Sequence, residues 1–194
     1  MANNRMRRIT KELSDIQNDS SSNISVYPVT EGDMTNLRAR FPGPPDSPYA
    51  GGTYEVSIRI PPEYPFKPPN MKFATRLWHP NVSSQTGAIC LDTLGSAWSP
   101  VLTIKSALLS LQSLLESPEP KDPQDAEVAR MMMNHPEQFE RQAREWAFKY
   151  AGAPKITHAS RASQVKPKPQ KTKEQEEREL AARYVSSPFS SLFP

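Results

Sequence analysis

A proline-dense stretch, residues 61–69, constrains the fold of this chain more than any other part of the sequence. It reads PPEYPFKPP, so five of its nine residues are proline. Proline has no backbone N–H to donate and its ring clashes inside a helix, so this stretch can form neither a helix nor a central strand. We therefore predict a stiff loop that carries two aromatic side chains, Tyr64 and Phe66. The residues alone leave open whether Phe66 fills the core or lies on the surface.

Short extended runs lie on both sides of this loop. In the run just before it, apolar and polar side chains alternate, which is the period of a strand with one buried face. Turn-forming residues separate the runs, so neighbouring strands should pair antiparallel as a meander. The predicted strands are 24–30, 35–41, 53–60 and 71–75.

Helical periodicity occurs on either side of the strand region. Apolar residues spaced three or four apart predict an amphipathic first helix over 2–17 and a central helix beginning near Ile104. Two more helices are predicted at 124–133 and 136–150. The predicted fold class is α+β: an N-terminal helix, a four-stranded antiparallel sheet, a central helix across the sheet and two C-terminal helices, within a domain of residues 1–152.

Charge and hydropathy narrow the classes of partner. The nominal pI is near 9.0, but residues 155–194 hold 8 Lys and Arg against 4 Asp and Glu, which leaves 16 against 17 for residues 1–154. Because the main body is nearly neutral, we expect no nucleic-acid partner.

No apolar run approaches the ~18 residues of a membrane span, and the N-terminus lacks the apolar core of a signal peptide. We expect a cytoplasmic or nuclear monomer with reduced thiols.

The chain contains a single cysteine, Cys90, and its flanks indicate what it can do. A lone cysteine forms no internal disulfide, which leaves core packing, metal ligation or thiolate chemistry. Metal ligation needs several converging Cys or His side chains, and the three histidines are widely scattered, so we predict no metal site. Residues 85–87 and 95–96 contain glycine and predict irregular surface backbone. We therefore expect an accessible thiol. The histidines are His79, His135 and His158.

Several short motifs occur in a fixed order around Cys90. They are Pro44-Pro45, Tyr49-Ala50-Gly51-Gly52, Tyr64-Pro65-Phe66-Lys67-Pro68-Pro69, His79-Pro80-Asn81, Cys90-Leu91-Asp92, Trp98-Ser99-Pro100 and Asp122-Pro123. Together they resemble the ubiquitin-conjugating enzymes, from about residue 5 to about residue 150. The resemblance is to the subgroup that usually carries a C-terminal ubiquitin-associated domain.

The resemblance implies an activity and a role for each residue of the motif. The chain would accept ubiquitin from the ubiquitin-activating enzyme as a thioester on Cys90 and transfer it to a lysine amine of a protein substrate, usually with a ubiquitin ligase. Asn81 would stabilise the oxyanion, Asp122 would position and deprotonate the incoming lysine, and His79 would support the loop. Structural roles stay open for Asn81, as an amide that ties the loop to backbone, and for Asp122, as a capping residue.

The resemblance also implies three binding surfaces and a cis Tyr64-Pro65 bond. The first helix carries a cluster of basic residues, Arg5, Arg7, Arg8 and Lys11. The alternative interpretation of this cluster is a helix face that is simply exposed to solvent. No cofactor is implied, since the activating enzyme consumes the ATP. The ligase would bind Arg8, Phe66, Ser99, Pro100 and Val101; the activating enzyme would bind Arg5, Arg7, Arg8 and Lys11; and donor ubiquitin would bind Leu109 and Ser110.

Other functions share some of these residues. A cysteine peptidase or deubiquitinase would also use Cys, His and Asn, but no peptidase motif surrounds Cys90. A non-catalytic ubiquitin-binding adaptor would lack the cysteine. A conjugating enzyme for another ubiquitin-like modifier keeps the chemistry and changes only the cargo.

Residues 153–194 differ in composition from the rest. They are polar and basic and contain Pro167 and Pro169, which is typical of a linker or tail, with a short charged helix possible in its second half. Nothing in this segment matches the length or the glycine-bearing loop of a ubiquitin-associated domain, so we transfer no such function to it.

Overall fold

The structure is a computed structural model that describes residues 2–155. Its elements follow in chain order as helix α1, four strands, a short 3-10 helix and helices α2 to α4. The tail predicted at 153–194, with its possible short helix, lies outside the described residues apart from its first three. The bounds are α1 Ala2–Gln17, β1 Ser25–Pro28, β2 Asn36–Pro42, β3 Thr53–Arg59, β4 Asn70–Phe73, the 3-10 helix Asp92–Leu94, α2 Ile104–Glu116, α3 Ala126–Asn134 and α4 Pro136–Ala151.

The four strands form one antiparallel sheet in the order β1-β2-β3-β4. Ala39 of β2 pairs with Val26 of β1 and with Val56 of β3, and Val56 in turn pairs with Phe73 of β4. All four side chains are buried, because side chains at directly opposed positions point to the same face of a sheet. The predicted α+β meander is confirmed.

One hydrophobic core joins the inward face of the sheet to the buried sides of the helices. From α1 it receives Ile9, Leu13 and Ile16, which recur at the predicted helical spacing. From α2 it receives a stripe of fully buried residues. Burying one such aliphatic side chain contributes roughly 1.5–3 kcal/mol, so these stripes fix where each helix lies. The α2 stripe contains Ile104, Leu108, Leu111 and Leu115.

Local signals fix the ends of two of the helices, α2 and α4. Helix α2 begins at a capping box, in which the Thr103 hydroxyl accepts from the Ser106 amide at 3.1 Å and the Ser106 hydroxyl accepts from the Thr103 amide at 2.8 Å. Helix α4 begins with Pro136 and ends at Ala151. It is capped by Gly152, whose φ of 70° is the left-handed conformation that glycine adopts readily.

Two details differ from or add to the sequence prediction. Strands β1 and β4 are shorter than predicted, with four residues each. The 3-10 helix that begins two residues after Cys90 was not predicted, because three residues carry no detectable period. The Tyr64–Pro65 bond is cis, as the resemblance implied.

Among the described residues, no helix combines the length and the apolar character needed to cross a bilayer.

Candidate active site

Cys90 lies at the end of a short bridged segment that leads away from β4. The segment is held by bridges between Lys72 and Ala88 and between Val82 and Ile89, and the Cys90 amide donates to the Asn81 carbonyl at 2.9 Å. The Cys90 side chain is half-buried. The sulfur is therefore positioned by backbone hydrogen bonds, and it is not sealed in the core.

A buried histidine supports the turn that faces Cys90. His79 is 0 % exposed; its Nε2 lies 2.9 Å from the Leu114 carbonyl, and its Nδ1 accepts from the Asn81 amide at 3.0 Å. These partners fix the tautomer with the proton on Nε2. Burial lowers the pKa of His79 to about 4, although the bond to the Leu114 carbonyl opposes this shift. The ring is neutral at pH 7 with both nitrogens occupied, so His79 is not a base for Cys90.

The side chain of Asn81 joins this turn to the loop before α3. Its Nδ2 donates to the carbonyls of Glu119 and Asp122, both at 2.8 Å, and its Oδ1 accepts from the Glu119 amide at 2.9 Å. Both N–H donors are thus occupied by backbone in this geometry. An oxyanion could receive one of them only by exchange with a carbonyl. The structural role that sequence left open is present, and the oxyanion role stays a prediction.

The loop tied by Asn81 brings an acid beside the sulfur. Asp122 is exposed, and its Oδ2 lies 3.9 Å from Cys90 Sγ. Partial burial, followed by the negative charges of Asp122 and Asp92, raises the pKa of the Cys90 thiol above its ordinary value. At neutral pH the thiol is therefore mostly protonated, and the same carboxylates form an acidic approach for a positively charged group.

Two exposed apolar side chains mark a second surface at some distance along the chain from Cys90. Phe66 is 79 % exposed and Val101 is 83 % exposed. The Trp98 indole N–H donates to the Pro65 carbonyl at 2.8 Å, which joins the loops that carry them. Arg8 of α1 donates to the carbonyls of Pro100, at 3.1 Å, and Leu102, at 3.0 Å. Phe66 is thus a surface residue, as the resemblance implied, and Ser99 is half-buried between these contacts.

The basic cluster of α1 separates into two groups. Arg5 donates to the Pro61 carbonyl at 3.2 Å, and Arg8 is held by the contacts above and by Glu12. Arg7 and Lys11 are exposed, and Lys11 pairs with Asp15 at 3.3 Å. The second group is therefore the more exposed of the two.

Helix α2 turns two of the predicted residues towards solvent. Leu109 is 42 % exposed and Ser110 is half-buried. Both line a shallow groove together with Leu91 and Thr93, which follow Cys90. The predicted surface for donor ubiquitin is therefore continuous with the segment that carries the sulfur.

One buried acid was missed by the sequence analysis. Glu12 of α1 is 5 % exposed and contacts Arg8, one helical turn earlier. The spacing of four residues could have predicted the ion pair. No local signal predicted its burial, because its other partners are distant in sequence.

Within residues 4–155, no three or more Cys, His, Asp or Glu side chains converge as metal ligands would.

Comparison with known proteins gives consistent matches. Residues 8–147 match the family described as ubiquitin-conjugating enzyme. The chain is 55 % identical over 154 residues to ubiquitin-conjugating enzyme E2 1 of Schizosaccharomyces pombe, which covers 79 % of this chain and 70 % of that protein. It is 47 % identical over 156 residues to ubiquitin-conjugating enzyme E2 K of Homo sapiens, covering 79 % and 78 %.

Solved structures agree with these matches. The E2 domain of a Toxoplasma gondii ubiquitin conjugating enzyme superposes with a TM-score of 0.71 at 49 % identity, covering 75 % of this chain and 98 % of that one. A Plasmodium yoelii protein described as a possible ubiquitin conjugating enzyme gives a TM-score of 0.73 at 45 % identity, covering 77 % and 97 %.

Proposed function

The chain belongs to the ubiquitin-conjugating enzyme family, whose members are transferases that act through a cysteine thioester, and from this premise we propose that Cys90 is the sulfur that carries ubiquitin. One observation supports the assignment above all others. Cys90 is the only cysteine of the chain, and it is half-buried beside an exposed acid. A transferase of this family has no other thiol here to use.

In the charging step, the Cys90 thiolate attacks the carbonyl carbon of ubiquitin's C-terminal thioester on the activating enzyme. The new C–S bond forms as the old one breaks, and the departing cysteine takes up the proton that Cys90 has lost. Because its pKa is raised, Cys90 supplies only a small fraction of thiolate at neutral pH. A small fraction suffices, since the partner enzyme delivers the acyl group directly and the proton is returned within the exchange.

In the transfer step, a lysine amine attacks the same carbonyl and forms a tetrahedral oxyanion. The oxyanion collapses by expelling Cys90 as thiolate, which then takes a proton, and an isopeptide bond remains. The amine first has to lose a proton from a reference pKa of about 10.4. We assign to Asp122 the orientation of the ammonium and the receipt of its proton, because its carboxylate lies 3.9 Å from the sulfur. A carboxylate alone stabilises the ammonium, so exclusion of water by the bound partners has to contribute.

Asn81 has a double role in this proposal. It holds the loop that carries Asp122, and it donates one N–H to the oxyanion when a carbonyl releases it. A preorganised donor stabilises such a transition state by about 3 kcal/mol. The contribution of Asn81 is smaller, because its N–H first has to give up a bond to the carbonyl of Glu119 or Asp122. His79 supports the turn and takes no proton.

The family implies ubiquitin, an activating enzyme and ligases as partners, and we propose which residues meet each. The exposed Phe66 and Val101, with Ser99, Pro100 and Arg8, receive the ligase. Arg7 and Lys11, with Arg5 and Arg8, face an acidic surface of the activating enzyme, and Leu109 and Ser110 hold donor ubiquitin. The chain works as a cytoplasmic or nuclear monomer without a cofactor, and the activating enzyme consumes the ATP.

A charging assay tests this proposal. The chain is incubated with activating enzyme, ATP and ubiquitin and analysed on gels with and without reductant. We expect an adduct that reductant removes, an adduct that resists reductant for Cys90→Ser, and none for Cys90→Ala. An adduct that persists in Cys90→Ala contradicts the assignment. Incubation with di-ubiquitin alone is the control for the peptidase alternative, and we expect no cleavage.

A further inference from the structure

Glu12 is a buried carboxylate to which neither the chemistry nor a binding surface has yet assigned a role. Within residues 4–155 it is the one carboxylate that is buried, with 5 % exposure. It accepts from Arg8 Nε, from the Tyr64 hydroxyl at 2.8 Å and from the Ile104 amide at 2.8 Å. Burying a charge is costly unless hydrogen bonds compensate it, and here three donors do so.

The three donors come from three different segments. Tyr64 lies two residues before Phe66, in the proline-dense loop. Arg8 also donates to the carbonyls of Pro100 and Leu102, at 3.1 Å and 3.0 Å, on either side of Val101. Ile104 is the first residue of α2. A single carboxylate therefore lies behind both loops that expose an apolar side chain.

A non-polar residue could fill this space but could not satisfy these donors. A well-packed apolar replacement of a buried ion pair is often neutral or stabilising, so stability alone does not require a carboxylate here. A carboxylate offers acceptor sites on two oxygens, and it can therefore bond to α1, the proline-dense loop and the start of α2 at once. These bonds fix the distances between the segments.

We propose that Glu12 is a positioning residue for the response to the ligase, which rests on the proposed function. It holds the loops of Phe66 and Val101 at the separation that one ligase surface requires. Side chains that are held in the bound arrangement beforehand lose less freedom on binding, and this raises affinity. Loss of Glu12 should therefore weaken ligase binding more than it slows transfer once the ligase is bound.

Glu12→Gln tests this because it keeps the shape of the side chain and changes its charge and its hydrogen bonds. The amide keeps one acceptor oxygen and places an N–H group against a donor of Tyr64, Ile104 or Arg8. The variant carrying ubiquitin on Cys90 is mixed with free lysine and increasing amounts of a RING-type ligase domain. The ligase domain is chosen because it accelerates the transfer of ubiquitin from the wild-type chain to lysine. We expect the half-saturating ligase concentration to rise about tenfold, and the rate at saturating ligase to stay within about twofold.

Two further variants separate positioning from general stability. Phe66→Ala removes one side chain of the surface, and Glu12→Gln should add little to its effect if both act on the same contact. Val26→Ala shortens a buried side chain in β1, a strand that belongs to neither loop, and should leave the half-saturating concentration unchanged. An equal rise in Val26→Ala, or full additivity with Phe66→Ala, overturns the inference.

Tyr64→Phe covers the case in which Glu12→Gln does not fold. It removes only the hydroxyl that donates to Glu12, and we expect about a threefold rise in the half-saturating concentration; no rise overturns the inference. A wild-type chain that forms no thiol-sensitive adduct overturns the proposed function and this inference together. A wild-type chain that responds to ligase while both variants respond equally well overturns the inference alone.

Discussion

At the scale of single residues, the surroundings of Cys90 keep its sulfur protonated until a partner arrives. Partial burial and then the charges of Asp122 and Asp92 raise the pKa of the thiol. A thiol with a raised pKa reacts slowly with small electrophiles, because the thiolate is the reactive form. In the proposed mechanism the same acids also attract a lysine ammonium, so one arrangement would limit side reactions and prepare the second step of transfer.

Asp122→Asn tests this electrostatic balance. The amide keeps the shape but carries no negative charge to oppose the thiolate, so the pKa of Cys90 should fall, while burial keeps it above the ordinary value. Alkylation by iodoacetamide across a pH series measures the change. We expect the midpoint to move to lower pH and the rate at pH 7 to rise, because a lower pKa leaves a larger fraction of the sulfur as thiolate. Asp15→Asn, on the exposed side of α1, is the matched control, and an unmoved midpoint in Asp122→Asn would contradict the prediction.

At the scale of elements, the turn before Cys90 depends on one glycine. Gly87 has a φ of 71°, and a Cβ built on it would lie 2.0 Å from the Phe73 carbonyl oxygen. That contact is close because the Phe73 amide donates to the Gly87 carbonyl at 2.9 Å, which joins the turn to β4. Glycine is therefore needed here both for its conformation and for its lack of a side chain.

Gly87→Ala and Gly152→Ala separate these two requirements. Gly152 has nearly the same φ, 70°, but nothing lies within 4 Å of its built Cβ. Chemical denaturation should show a loss of about 1 kcal/mol for Gly152→Ala, from the left-handed conformation alone. Gly87→Ala should lose several kcal/mol, because the backbone of β4 has to move as well. Equal losses in the two variants would show that the contact with Phe73 is relieved at little cost.

Most elements could be predicted from local pattern, and most of the site could not. The strand β3 and the stripes of α1 and α2 follow from alternation and helical spacing, because burial repeats along each element. The contact of Asn81 with Asp122 spans 41 residues, and that of Glu12 with Ile104 spans 92. The sequence around these residues does not predict such distant contacts. Asn81 and Asp122 were identified only through the family resemblance. Glu12 belongs to none of the motifs and was not predicted.

At the scale of the whole molecule, one buried ring makes stability depend on pH. His79 lies where the turn of Asn81, the end of α2 and the core meet, and burial lowers its pKa to about 4 from an ordinary value of 6.5. Between these two values the unfolded chain binds a proton that the folded chain excludes. Stability should therefore fall as the pH falls through this window, by up to about 3 kcal/mol in total, since a difference of one pH unit between the folded and unfolded pKa values corresponds to about 1.4 kcal/mol.

His79→Gln isolates this contribution from the other titrating groups of the molecule. The variant lacks the ring and its two hydrogen bonds, so it should be less stable than the wild type at pH 7. It also lacks the titration, so the difference between the two proteins should narrow as the pH falls from 7 to 4.5, whereas carboxylates shared by both cancel. Urea denaturation at several pH values measures both curves. A difference that stays constant over this range would mean that the ring accepts a proton in the folded state as easily as in the unfolded one, and that the turn beside Cys90 opens to water.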